Sequence, residues 1–167
     1  MGKTKQKSRA AKKVAVFFIV FIIIEMLIVG SVAYVFRNDD VTPSFGGFSL
    51  FLMDSDNIDS IPKDALIVVE NGSPSKEKIS SAVLCENVPD VGSTILWLSD
   101  VTSKDNVDGV IYVVYQDDGT TYELKSADVI GVAPTYYITA GKVIRFISTP
   151  IGIAACAAAP VALWLVI

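Results

Sequence analysis

Residues 53–70, MDSDNIDSIPKDALIVVE, gather the side chains of this chain best equipped for chemistry. Asp54, Asp56 and Asp59 fall within six positions, interleaved with Ser55 and Ser60 and followed by Lys63. Closely spaced carboxylates suit a hard cation. A hydroxyl suits nucleophilic attack, and a lysine beside it can act as general base once desolvation lowers its pKa. Each reading meets an obstacle. A calcium loop of the EF-hand kind needs glycine at its sixth place and a distal glutamate, which this stretch lacks, so no metal is expected. The chain has no histidine, which removes the commonest imidazole base and metal ligand. Lys63 follows Pro62 in a bend, and Lys104 and Lys125 stand among polar neighbours, so all three read as solvated. The plain alternative is an exposed acidic turn.

The elements that must hold these groups are short strands. FSLFLM (48–53), ALIVVE (65–70), SAVLCE (81–86), STILWL (93–98), VIYVVYQ (110–116), TTYEL (120–124) and DVIGVA (128–133) are rich in β-branched and aromatic residues and separated by turn residues. That pattern predicts one mainly β domain with a single modest core and no helical pattern longer than two turns. YQDDGTTY predicts a tight hairpin around Asp117, Asp118 and Gly119. ENGSPSKEK and SDVTSKDNVDG read as exposed polar loops. Cys85 and Cys156 fall in different regions, so no disulfide framework is expected, and nothing implies a cofactor.

Two apolar runs flank this domain. Residues 14–36 form 23 positions with one charge, Glu25, enough for a helix to cross a hydrocarbon core of ~30 Å. Residues 146–167 carry no charge but are interrupted by Pro150, Gly152 and Pro160, and are read as a second span. Lys3, Lys5, Lys7, Arg9, Lys12 and Lys13 precede the first run with no acid among them, which places that end in the cytoplasm. Residues 38–142 hold 17 carboxylates against 6 lysines, a net charge of −11. Such a surface does not suit nucleic acid. The expected order is a basic cytoplasmic tail (1–13), a transmembrane helix (14–36), an extracytoplasmic β domain (37–142) and a second transmembrane helix (143–167) in the plasma membrane. Glu25 in mid-span calls for a polar partner or a proton, and Tyr136 and Tyr137 suit a seat at the bilayer interface.

The approach Ile61-Pro62-Lys63 to the strand ALIVV resembles the corresponding stretch of type I signal peptidases of the archaeal, endoplasmic-reticulum and Gram-positive sporulation kind. VGSTILWL (91–98) is similar to that family's Val-Gly-Asp-x-Ile-x-Phe strand, with Ser93 in place of the aspartate. Residues 126–152, SADVIGVAPTYYITAGKVIRFISTPIG, are similar to its closing segment. The resemblance implies that Asp54-Ser55-Asp56 stand on the family's Ser-Gly-Ser, with Asp56 at the nucleophile position. A slip of one residue would offer Ser55 instead, with Lys63 as a weak base. Asp54, Ser55, Asp56, Ile61 and Pro62 would then border the substrate groove. The His-Arg-Val or Lys-Arg-Val signature has no counterpart, because Gly109-Val110-Ile111 carries no base. The expectation is therefore a non-catalytic relative that binds extended secretory-precursor or pilin-like segments at the outer membrane face. The alternatives are an active peptidase with a displaced Ser/Lys pair and a structural membrane-tethered β domain.

Overall fold

A computed structural model of the chain describes residues 2–37, 42–54, 58–103 and 109–166. The chain divides into two compact units, one of residues 38–143 and one joining residues 1–37 to 144–167. Ser55, Asp56, Asn57 and Lys104, named above, lie outside the described residues.

The first unit is a mainly β, antiparallel eight-stranded sheet. Its strands are β1 (Ser44–Phe45), β2 (Phe48–Leu52), β3 (Leu66–Asn71), β4 (Ala82–Val88), β5 (Gly92–Ser103), β6 (Val110–Tyr115), β7 (Thr121–Lys125) and β8 (Val129–Tyr137). The order across the sheet is β1-β2-β3-β8-β4-β5-β6-β7, so the last strand in sequence is inserted between β3 and β4. Each segment expected to be a strand is one. The two-residue β1 had no apolar run to betray it. β5 continues through Asp100, Val101, Thr102 and Ser103, where a polar loop was expected. These residues pair with β6 after a bulge between Leu98 and Asp100. The Asp100 carboxylate accepts hydrogen bonds from the Val101 amide and the Thr102 hydroxyl, which lets a polar stretch stay extended.

Alternation along β4 and β5 explains their unbroken apolar character. Ala82, Leu84 and Ile95 join one buried cluster with Met53, Ile58, Ile61, Ile67 and Val69. Val83, Cys85, Leu96 and Leu98 point the other way, into a second cluster with Tyr112, Val114, Leu124 and Val129. Successive side chains of a strand face opposite sides, so a strand buried on both faces must be apolar throughout. β8 runs through this crowded centre, where Gly131 pairs with Asn71 on one side and Leu84 on the other. A Cβ at 131 would run into the Glu70 carbonyl.

In the second unit, α1 spans Gly2–Arg37, and its segment Val14–Phe36 is long and apolar enough to cross a membrane. Along this segment the large side chains are mostly exposed, and the Glu25 Oε2 atom is buried with no hydrogen-bond partner among the described residues. The carboxy-terminal region differs from the single helix expected over 143–167. It holds α2 (Ile138–Ile147), whose first six residues belong to the β unit, and α3 (Pro150–Val166), bent by 89° at the break. The cause is local. Pro150 occupies the first position of α3, and the Thr149 hydroxyl accepts a hydrogen bond from the Gly152 amide at 3.0 Å, capping the new helix. α3 has 17 residues, about 25 Å at ~1.5 Å per residue, and packs against α1.

Candidate functional site

The described ends of the acidic stretch, between β2 and β3, are tied together at a neck. The Met53 amide donates to the Ala65 carbonyl at 2.9 Å, and the Asp64 amide donates to the Met53 carbonyl at 2.8 Å. Inside this neck, Ile58 and Ile61 turn into the core, and the Ile61 amide donates to the Ile58 carbonyl. Two apolar anchors thus fix the described part of this loop. Asp54, Asp59, Ser60, Pro62 and Lys63 are all exposed. Among the described residues no group of three acidic or cysteine side chains could hold a metal ion.

A clamp from the far side of the sheet holds this loop. Asp117, in the β6–β7 hairpin, accepts a hydrogen bond from the Asp59 amide at 2.6 Å through Oδ2 and one from the Trp97 indole at 2.7 Å through Oδ1. The hairpin has the expected form: the Gln116 amide donates to the Thr120 carbonyl, and the Gly119 amide to the Gln116 carbonyl. One carboxylate therefore joins the loop, the hairpin and β5. Nothing in the chain order announced this pairing, because Asp59 and Asp117 are 58 residues apart.

Beside the clamped loop lies a groove of about 320 Å³. It is lined by Ser60 and Ile61 of the loop, by Lys78, Ser81, Ala82 and Trp97, and by Val132, Ala133, Pro134 and Tyr136 of β8. The groove exists because two strand pairings end at different places. β8 pairs with β4 only as far as Val132 opposite Val83, but with β3 as far as Tyr137 opposite Leu66. Among the described residues no strand pairs with 133–137 on the side away from β3. The groove therefore runs along an open strand edge with apolar walls. An extended peptide can join such an edge through main-chain hydrogen bonds, its alternate side chains set against the walls.

The residues singled out from the sequence are only partly assembled here. Ile61 and Ser60 border the groove, Pro62 and Lys63 stand outside its lining, and Asp54 lies exposed just past β2. Lys125 is exposed on β7, paired in register with Ile111 of β6. Gly109 precedes β6, Val110 and Ile111 open it, and none of the three brings a cation. The groove's own cation, Lys78, sits in the 3-10 turn Lys76–Lys78 and is exposed. It was hidden in ENGSPSKEK, a stretch with every mark of a plain surface loop. Trp97 is half-buried. Away from the groove, burial and then the charge of Asp128 push the Cys85 thiol up to about 12. It stays a protonated core side chain.

No family model matches this chain, and neither a curated protein nor a solved structure does.

Proposed function

We propose that the protein is a membrane-anchored, signal-peptidase-like binding protein that holds extended segments of secretory precursors, or a pilin-like partner, without cleaving them. The observation that carries this reading is the open β8 edge at residues 133–137, set beside an apolar-walled groove that begins at the loop resembling the family's catalytic loop. Strand addition takes its affinity from main-chain hydrogen bonds and its selectivity from side-chain pockets, and neither needs a nucleophile. Lys63 and Lys125 are exposed, and neither lines the groove. By the positive-inside rule the basic amino-terminal tail lies in the cytoplasm and the acidic β domain outside it.

One observation favours the active alternative: Ser60 and Lys78 border the same groove. Hydrolysis would need the Lys78 amine desolvated and within hydrogen-bond reach of the hydroxyl, which requires an incoming peptide to cover both. A single experiment separates the readings. The full chain in nanodiscs is titrated with fluorescent peptides copied from apolar secretory-precursor segments, and the mixture is followed by mass spectrometry. The proposal expects saturable binding, roughly tenfold weaker in Tyr136→Ala, equivalent to about 1.4 kcal/mol, with no cleaved product. Cleavage abolished by Ser60→Ala or Ser55→Ala would replace it with the peptidase reading. An absence of binding would leave a structural tethered domain.

A further inference from the structure

The groove, the clamp and the core account for most of the β unit's polar and aromatic features, but not for the helix that follows β8. α2 reads ITAGKVIRFI, with apolar residues on most sides and its two cations on one, where Ile138 lies between them. At ~100° per residue, Thr139, Val143, Phe146 and Ile147 share one side, whereas Lys142 and Arg145 fall together on another. Gly141 marks the face turned to the sheet: it is buried, and a Cβ there would collide with the Asp64 carbonyl and the Leu66 amide. Val143 lies about 200° round the helix from Gly141 and so points away from the sheet. Val143 is 54% exposed and Phe146 50%, and Tyr137, just before the helix, is 53%. Large apolar side chains this exposed are left uncovered by the described residues.

The partner is indicated by what the helix joins. α2 continues after a two-residue break into α3, which carries no charged residue, and the two axes meet at 89°. A chain turning through nearly a right angle between an amphipathic and a wholly apolar helix has the geometry of one helix lying in a bilayer surface and the next entering the bilayer. Tyr136 and Tyr137 lead into α2, where amphipathic rings sit at headgroup depth. Lys142 is exposed on the flank of the apolar face, where its stem can lie along lipid and its ammonium reach the phosphates.

We propose that α2 is an interfacial helix that seats the β domain on a lipid bilayer, with Val143 and Phe146 immersed at the acyl boundary and Lys142 at the phosphate level. The inference rests on the membrane anchorage proposed above but not on peptide binding. Its consequence for the groove is direct. Tyr136 borders both the groove and the surface formed by Tyr137, Ile138 and Val143, so the open β8 edge starts where the lipid seat ends. A segment leaving the bilayer would meet that edge first.

Site-directed spin labelling of the full chain tests this. Single cysteines are placed at Lys142, Val143, Phe146, Ile153 and Ile23 in a Cys156→Ser background, leaving the buried Cys85, and the chains are reconstituted in vesicles of phosphatidylcholine and phosphatidylglycerol. Collision with oxygen and with a water-soluble nickel chelate gives the depth of each label. The expected result is labels at 143 and 146 at matching shallow depths, about 5–10 Å into the headgroup and acyl boundary, with 142 more exposed to nickel and 153 and 23 deeper. Depth rising steadily by ~1.5 Å per residue from 142 to 153 would mean one continuous span and overturn the proposal. So would a nickel accessibility at 143 and 146 equal to that of a label at exposed Lys125. Loss of depth at Ile23 as well would locate the failure in the anchorage itself.

Discussion

Replacing Asp117 is the sharpest perturbation the β unit offers, because one side chain accepts two hydrogen bonds that join three elements. In Asp117→Ala both the Trp97 indole N–H and the Asp59 amide lose their acceptor. A hydrogen bond to a charged group contributes ~1.5–3 kcal/mol. Asp117 is exposed, so water compensates part of the loss and the lower end applies. The expected destabilisation is about 2–3 kcal/mol in total. Asp117→Asn keeps one carbonyl acceptor and can satisfy only one of the two donors, so about half that loss is expected. Urea unfolding of the full chain, followed by Trp97 emission in a Trp164→Phe background, measures both. The folded-state emission should also shift to the red in Asp117→Ala as the indole loses its fixed acceptor. Alanine and asparagine variants of equal stability, or both within about 0.5 kcal/mol of the parent, would refute the clamp, since surface changes away from such features fall in that range.

Further outcomes follow from other elements. Gly131→Ala forces a methyl into the Glu70 carbonyl between two strands, so a loss of at least ~1–3 kcal/mol is expected by urea unfolding, against near-neutrality for Gly119→Asn in the hairpin turn. Cys85 should resist iodoacetamide at pH 8 while the fold is intact and react on unfolding, as read by mass spectrometry. Its pKa is raised from 9.0 to about 12 in the folded state. The stability this contributes is full below pH 9 and lost as pH climbs towards 12, and Cys85→Ala should flatten that alkaline decline. Thr149→Ala removes the hydroxyl that caps α3 and should lower the helicity of the carboxy-terminal segment, at about 1 kcal/mol, without altering Trp97 emission.

Periodicity made most of the sheet legible. The runs ALIVVE, SAVLCE and STILWL are apolar on both faces, and the structure buries them on both faces. What periodicity could not supply was order. That β8 lies between β3 and β4, with Gly131 close against the Glu70 backbone of β3, is a property of packing that no local spacing reports. Ser148-Thr149-Pro150 held the signal for a helix start, yet within an apolar run the total hydrophobicity outweighed it, and one helix was expected where two occur. The groove was least legible. Its walls come from β8, from the start of β4 and from Trp97, and its aspartate clamp joins loops distant in sequence. The acidic loop drew attention through its composition, whereas its structural interest lies in Ile58 and Ile61, the two apolar residues that pin it beside the groove.

The central claim is that an extended segment binds by adding a strand to the free edge of β8, and backbone methylation of the ligand tests it most directly. A peptide that binds the full chain in nanodiscs is resynthesised with a single N-methyl group at each position in turn, and each affinity is measured by fluorescence anisotropy. Strand addition predicts losses with a period of two, at least about tenfold where the amide faces β8 and little where it faces away. A flat profile, with every methylated peptide binding as the parent does, would contradict it.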